Sequence, residues 1–166
     1  MKAISLYSAV FLGGLSAGFY YAWQVSVIPG TKLISDSSFL ESMQNINRAI
    51  LNPAFILIFF GTLLTLVAAA YFNFNQTEVF RWILAATLIY VFGVLGVTIA
   101  GNVPLNEYLD QVQLGRLDAR GLSHVRDIFE KSWNLRHLIR TAFALLSFFL
   151  ILGALYRYGS ETLNLK

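Results

Sequence analysis

The sequence predicts an all-α integral membrane protein: an antiparallel bundle of four transmembrane helices, one domain over residues 1–166, with amphipathic capping segments on one side. Three observations predict it. Hydrophobic residues make up 57% of the chain and charged residues only 13%, with a mean hydropathy of +0.62, which lies outside the usual soluble range. The apolar residues gather into runs of helix-spanning length, and lipid tolerates only helices or closed barrels because every backbone polar group must be satisfied internally. The polar connections between the runs alternate long, short and long, which in an antiparallel bundle places both long ones on one side.

The first span covers residues 4–28 and ends at Pro29-Gly30. It is too long for a signal-peptide core and lacks a small-residue cleavage site, so it reads as part of the mature fold. Gly14 and Gly18 form a small-xxx-small face on which a neighbouring backbone can pack. Beyond it, Phe39, Met43, Ile46 and Ile50 recur at three- and four-residue intervals, the mark of an amphipathic helix lying along the membrane face. Asn52-Pro53 then reads as an N-cap with proline at the first helical position.

The second span covers residues 54–72, and the turn Asn73 to Glu78 is short enough to require an antiparallel neighbour. The third span covers 82–103, with Gly93, Gly96 and Gly101 marking close packing. Pro104 is expected to stop it, leaving carbonyls that Asn102 and Asn106 could satisfy. Residues 107–132 form the longest polar connection, read as a second cap with charges of alternating sign. The fourth span, 135–156, is entered through Trp133-Asn-Leu-Arg-His-Leu-Ile-Arg-Thr141. At about 100° per residue, Trp133, Asn134, His137, Arg140 and Thr141 share one arc, while Leu135, Leu138 and Ile139 take the other side.

Topology supplies the functional expectation. The segments around Asn47, Asn102 to Asn106 and Trp133 to Arg140 all fall at span ends on the capped side, so they converge. A charged side chain low in a membrane helix costs at least ~2.5 kcal/mol on the mildest scale, so this polar face should look into a bundle or a wet cavity. His137 is the well-placed titratable group, because an imidazole ordinarily titrates near neutral pH. Arg140 and Arg136 could hold an anion beside it, Asn102, Asn106 and Asn134 are orienting amides, and Trp133 or Trp23 could stack on a planar ring.

Composition removes several classes. Without cysteine there is no disulfide framework, thiolate nucleophile, iron–sulfur cluster or cysteine-ligated zinc, and no metal-site spacing is present. The Lys and Arg residues behind the net charge of +3 are scattered around apolar spans, so nucleic acid is not an expected partner. No cofactor is predicted, while a haem or quinone pocket stays open. The expected partners are the lipid bilayer and a lipophilic aromatic small molecule, with a homo-oligomer or a place in a membrane complex as further options. The expected location is the cell inner membrane. With the arginines of the polar face set aside, the balance of Lys2, Arg81 and Arg157 against Lys32 and Arg48 leans to cytoplasmic termini.

The segments Gly101-Asn-Val-Pro-Leu-Asn106, Trp133-Asn134 with His137 and Arg140-Thr141, and Met43-Gln-Asn-Ile-Asn47 with Asn52-Pro53 resemble the anthrone oxygenase-like family, whose bacterial members have long been catalogued as a domain of unknown function. The resemblance implies a cofactor-independent oxygenase that removes an acidic proton from a hydroxyaromatic substrate and lets the resulting anion react with molecular oxygen. His137 would be the base, Arg140 would stabilise the anion, and Asn47, Asn102, Asn106, Asn134, Trp23 and Trp133 would bind substrate. A non-enzymatic membrane subunit or lipophile-binding protein is the competing expectation.

Overall fold

The computed structural model describes residues 1–164, all of its regular structure helical. Four helices are long and apolar enough to cross a membrane: α1 (Lys2–Thr31), α3 (Pro53–Phe72), α4 (Thr77–Gln111) and α5, which extends over Ala119–Asn164. A fifth helix, α2 (Asp36–Ala49), joins the first two spans on one side. Ser35 caps its start by accepting from the Ser38 amide, and Asn52 caps α3 by accepting from the Phe55 amide at 3.0 Å, with Pro53 at the first position where a missing N–H costs nothing.

The bundle core gathers Leu6, Ala9, Leu66, Val79, Ile83, Ala86, Val94, Ala144 and Ile151. Helix α1 packs on α3 and α5, and the first half of α4 packs on α5 and α3. Polar ties supplement packing where no hydrophobic drive separates helix from lipid: Tyr90 donates to the Phe59 carbonyl at 2.9 Å, and Ser147 to the Ala86 carbonyl at 2.9 Å. Glycines set the close approaches, though not all those expected. A Cβ at Gly93 would collide with Phe143, one at Gly153 would stand 2.7 Å from the Trp82 indole, and Gly14 lies against Phe148. Gly18 was expected at a helix contact, but it is exposed and meets nothing within 4 Å; Gly13, one face round, takes that place against Ile151.

One expectation about the ends of the spans is corrected. Pro104 does not stop the third span: Val103 keeps helical geometry (φ −59°, ψ −50°) and the helix continues to Gln111. A π turn over Thr98–Asn102 immediately precedes the proline, and the π turn Trp23–Val27 likewise precedes Pro29. Widening the helix accommodates the ring and the missing N–H that would otherwise break the ladder. The second cap is present and is continuous with the spans on either side of it: the end of α4, a short 3₁₀ turn at Leu114–Arg116 and the first four turns of α5 form it. At 46 residues, α5 is roughly 70 Å long, more than twice the bilayer core, so it must project beyond it.

The stripe on α2 therefore has protein to bury against rather than the membrane face. Phe39, Leu40 and Met43 form a second core with Ile28, Leu109, Val125, Phe129 and Trp133. Arg126 pins this cap: it bonds the Thr31 and Ile34 carbonyls, pairs with Asp36 and Glu130, and lies 4.5 Å over the Phe39 ring. Gln44 donates to the Leu109 and Val112 carbonyls, fastening α2 to the end of α4.

Candidate functional site

A cavity of about 360 Å³ lies between the two cores. The two π turns shape its walls: Trp23 comes from one, and Thr98 and Asn102 come from the other. Such turns break the helical register and re-aim side chains, which is why they recur at functional sites. Phe19, Phe55, Ile46, Ile50 and Val103 supply an apolar lining, and the Arg48–Asp110 ion pair, half exposed, stands at the rim.

Of the residues expected at the site, His137, Arg140, Asn102, Asn106, Asn47, Trp133 and Trp23 all line this cavity. Asn134 does not; it lies partly buried on the flank of α5, about 100° round from Trp133. Nor does Arg136, whose stem runs over Gly101. Asn102 and Asn106 also depart from the expected capping of their own helix. Asn102 Nδ2 donates to the Trp133 carbonyl at 3.3 Å, and Asn106 Oδ1 accepts the Trp133 indole N–H at 2.8 Å, so both amides clamp α4 onto α5. The carbonyl can only accept, which fixes the orientation of the Asn102 amide and leaves its Oδ1 as a buried acceptor with no partner. Asn47 Nδ2 is likewise buried and unpartnered.

The inner wall is a stack. His137 lies parallel to Trp133, with centroids 5.1 Å apart and 5° between the planes, and the Arg140 guanidinium sits 5.1 Å over Trp133 and 5.0 Å over Tyr20. Arg140 approaches His137 Nδ1 with Nε at 3.2 Å and with a terminal nitrogen at 2.9 Å. A guanidinium only donates, so Nδ1 is the acceptor, the ring proton is assigned to Nε2, and Nε2 donates to the Tyr20 carbonyl at 3.1 Å. Both imidazole nitrogens are thus engaged. Arg140 is 8% exposed, and among the described residues no carboxylate pairs with it; the ion pairs lie at the rim, the cap and the opposite end. The guanidinium is thus held by an imidazole, the Thr98 hydroxyl at 3.5 Å and two aromatic faces, an arrangement that leaves its charge uncompensated.

Tyr20 and Thr98 were not expected here, because each sits in an apolar run with no polar neighbour in sequence to mark it. Among the described residues no three His, Cys, Asp or Glu side chains gather as a metal cluster. The family described as Anthrone oxygenase matches the chain over residues 53–150, well over half of it. That stretch carries Thr98, Asn102, Asn106, Trp133, His137 and Arg140, while Tyr20, Trp23 and Asn47 precede it. No curated protein and no solved structure matches the chain.

Proposed function

From the premise that the chain belongs to the anthrone oxygenase family, we infer that it oxidises a lipophilic hydroxyaromatic compound with molecular oxygen at the cavity of His137 and Arg140. One observation carries this reading: a guanidinium without a counter-charge at the inner end of a largely apolar cavity whose size falls within the ~300–1,000 Å³ typical of small-molecule sites. A planar ring system has aromatic walls to stack on, and its ionised oxygen has Arg140 to meet. Asn102 Oδ1, a lone acceptor, suits a substrate hydroxyl.

The chemistry follows from those positions. His137 removes the acidic C–H proton of an anthrone-like ring, and the charge delocalises onto the ring oxygen beside Arg140. Because Arg140 rests on Nδ1, the imidazole becomes a base as the guanidinium turns to the forming oxyanion, so proton removal and anion stabilisation are one event. The electron-rich anion reduces oxygen and forms the new C–O bond; loss of water then gives the quinone, one anthrone and one O₂ yielding one anthraquinone and one H₂O.

The test is oxygen uptake and quinone absorbance with a hydroxyanthrone and the purified protein in nanodiscs. Turnover by the wild type that disappears in His137→Ala is expected. Equal uptake by the two, or by boiled protein, removes the reading. The engagement of both His137 nitrogens favours a second reading, a lipophile-binding protein without turnover. Quenching of Trp133 and Trp23 fluorescence by the hydroxyanthrone with no oxygen consumed would support that one.

A further inference from the structure

Tyr20 is the part of the cavity wall to which the oxygenase reading gives no task. Its side chain is 2% exposed, it lines the cavity, and its hydroxyl is buried with no hydrogen-bond partner. The Thr98 hydroxyl is its polar neighbour; it donates to the Val94 carbonyl at 2.7 Å and accepts from Arg140 at 3.5 Å. Buried phenols ordinarily find a partner. Tyr20 has none, and the residue forms part of the cavity wall. The ring is held in place by Arg140 over its face, by the edge of His137 at 6.0 Å, and by its own carbonyl, which takes the His137 Nε2 proton.

The other proton carriers on that wall are occupied. His137 is the base of the reaction, the Thr98 hydroxyl gives its proton to the Val94 carbonyl, and a guanidinium does not release a proton in proteins. The Tyr20 hydroxyl therefore carries a transferable proton that no neighbour holds.

We propose that Tyr20 is a catalytic residue, the proton donor to the oxygen that leaves in the second half of the oxygenation; this rests on the oxygenase reading of the same cavity. The oxidant is molecular oxygen. After it has added to the substrate carbon as a hydroperoxide, that carbon still bears one hydrogen. His137 takes this hydrogen as a proton, its electron pair becomes the second C–O bond of the quinone, and the O–O bond breaks. Tyr20 protonates the departing oxygen, which leaves as water. The proton taken from carbon then restores the phenol, whose transient negative charge lies beneath the Arg140 guanidinium. Nothing is consumed but substrate and oxygen.

The experiment is Tyr20→Phe in the full chain, in nanodiscs, with a hydroxyanthrone and oxygen. Phenylalanine keeps the ring, the cation–π contact and the backbone carbonyl, and the lost hydroxyl makes no hydrogen bond, so thermal stability should be unchanged. Quinone formation should fall by about 10²-fold, the lower end of general-acid contributions. Oxygen consumed should exceed quinone formed, with hydroperoxide detectable in the medium, whereas the wild type consumes and forms in equal amounts. The wild type should also form quinone more slowly in deuterated water. Quinone formation by Tyr20→Phe at the wild-type rate, slower formation at unchanged stoichiometry, or the lack of a solvent isotope effect would each overturn the role of Tyr20 and leave the oxygenase reading intact. A wild type that forms no quinone removes that reading and this step together.

Discussion

At the scale of single residues the decisive object is Arg140, because a guanidinium in an apolar bundle is retained only where its hydrogen-bonding and electrostatic demands are met. Here they are met by an imidazole nitrogen, the Thr98 hydroxyl at 3.5 Å and two ring faces, partners that leave its charge uncompensated and its donor edge able to turn. Lysine cannot replace it: a point charge on a flexible stem neither stacks flat on Trp133 nor presents a planar fork to an oxyanion. Arg140→Lys is thus expected to lower kcat by roughly 10²–10³-fold, the cost of removing one oxyanion donor, while hydroxyanthrone still quenches tryptophan fluorescence. An unchanged kcat would show that Arg140 acts only as a charge. The arc formed by Trp133, His137 and Arg140 was readable from helical periodicity alone. Asn134 was read onto the same face because a polar arc of roughly 120° was assumed; the cavity uses only the half from Arg140 to His137. Tyr20 was unreadable, since nothing in an apolar run distinguishes a tyrosine at the interface with lipid from one that faces inward.

At the scale of elements, periodicity located the helices but not which small residues let them meet. Gly14 and Gly18 share a spacing, yet only the first has a neighbour, because a four-residue step advances the face by about 40° and an intervening contact by α5 is met by Gly13 instead. Gly18→Leu should therefore leave the melting temperature in detergent unchanged. Gly93→Ala should lower stability by about 1–3 kcal/mol, since the new methyl meets the root of the Phe143 side chain rather than its flexible end. A melting temperature that falls for Gly18→Leu and holds for Gly93→Ala would invert the packing described. The cap offers a second test. Arg126 is 12% exposed on its side chain and joins the end of α1, the start of α2 and the overhang of α5. Its replacement by alanine leaves several carbonyl and carboxylate acceptors without a partner, which should cost roughly 2–3 kcal/mol. Proteolysis within residues 32–52 should accelerate accordingly, and an unaltered cleavage rate would show that the second core alone holds α2.

At the scale of the whole molecule, the sidedness that composition and loop lengths implied is also the least local feature, and it can be tested without reference to any activity. Apolar runs and connection lengths were enough to fix four spans, whereas the extent of the overhangs was not legible, since a π turn that rescues a helix across Pro104 leaves no mark in residue order. The overhangs nevertheless determine what the protein presents to each side. One face carries α2, the end of α4 and the start of α5, and the other carries the turn at Asn73 to Gln76, the start of α1 and the end of α5. The chain has no cysteine, so single cysteines report position without background. Ser37, in the first turn of α2, and Gln113, past the end of α4, are polar surface positions on the capped face; Asn75 lies in the opposite turn. With termini inside, as the Lys and Arg balance of the short turn and tails leads one to expect, Ser37→Cys and Gln113→Cys should react with a membrane-impermeant maleimide on intact cells, and Asn75→Cys only after lysis. The reverse pattern would turn the protein over in the membrane and keep the fold. Labelling of Ser37→Cys and Asn75→Cys from the same side would break the antiparallel four-span arrangement, and with it the convergence of α1, α4 and α5 on which the cavity depends.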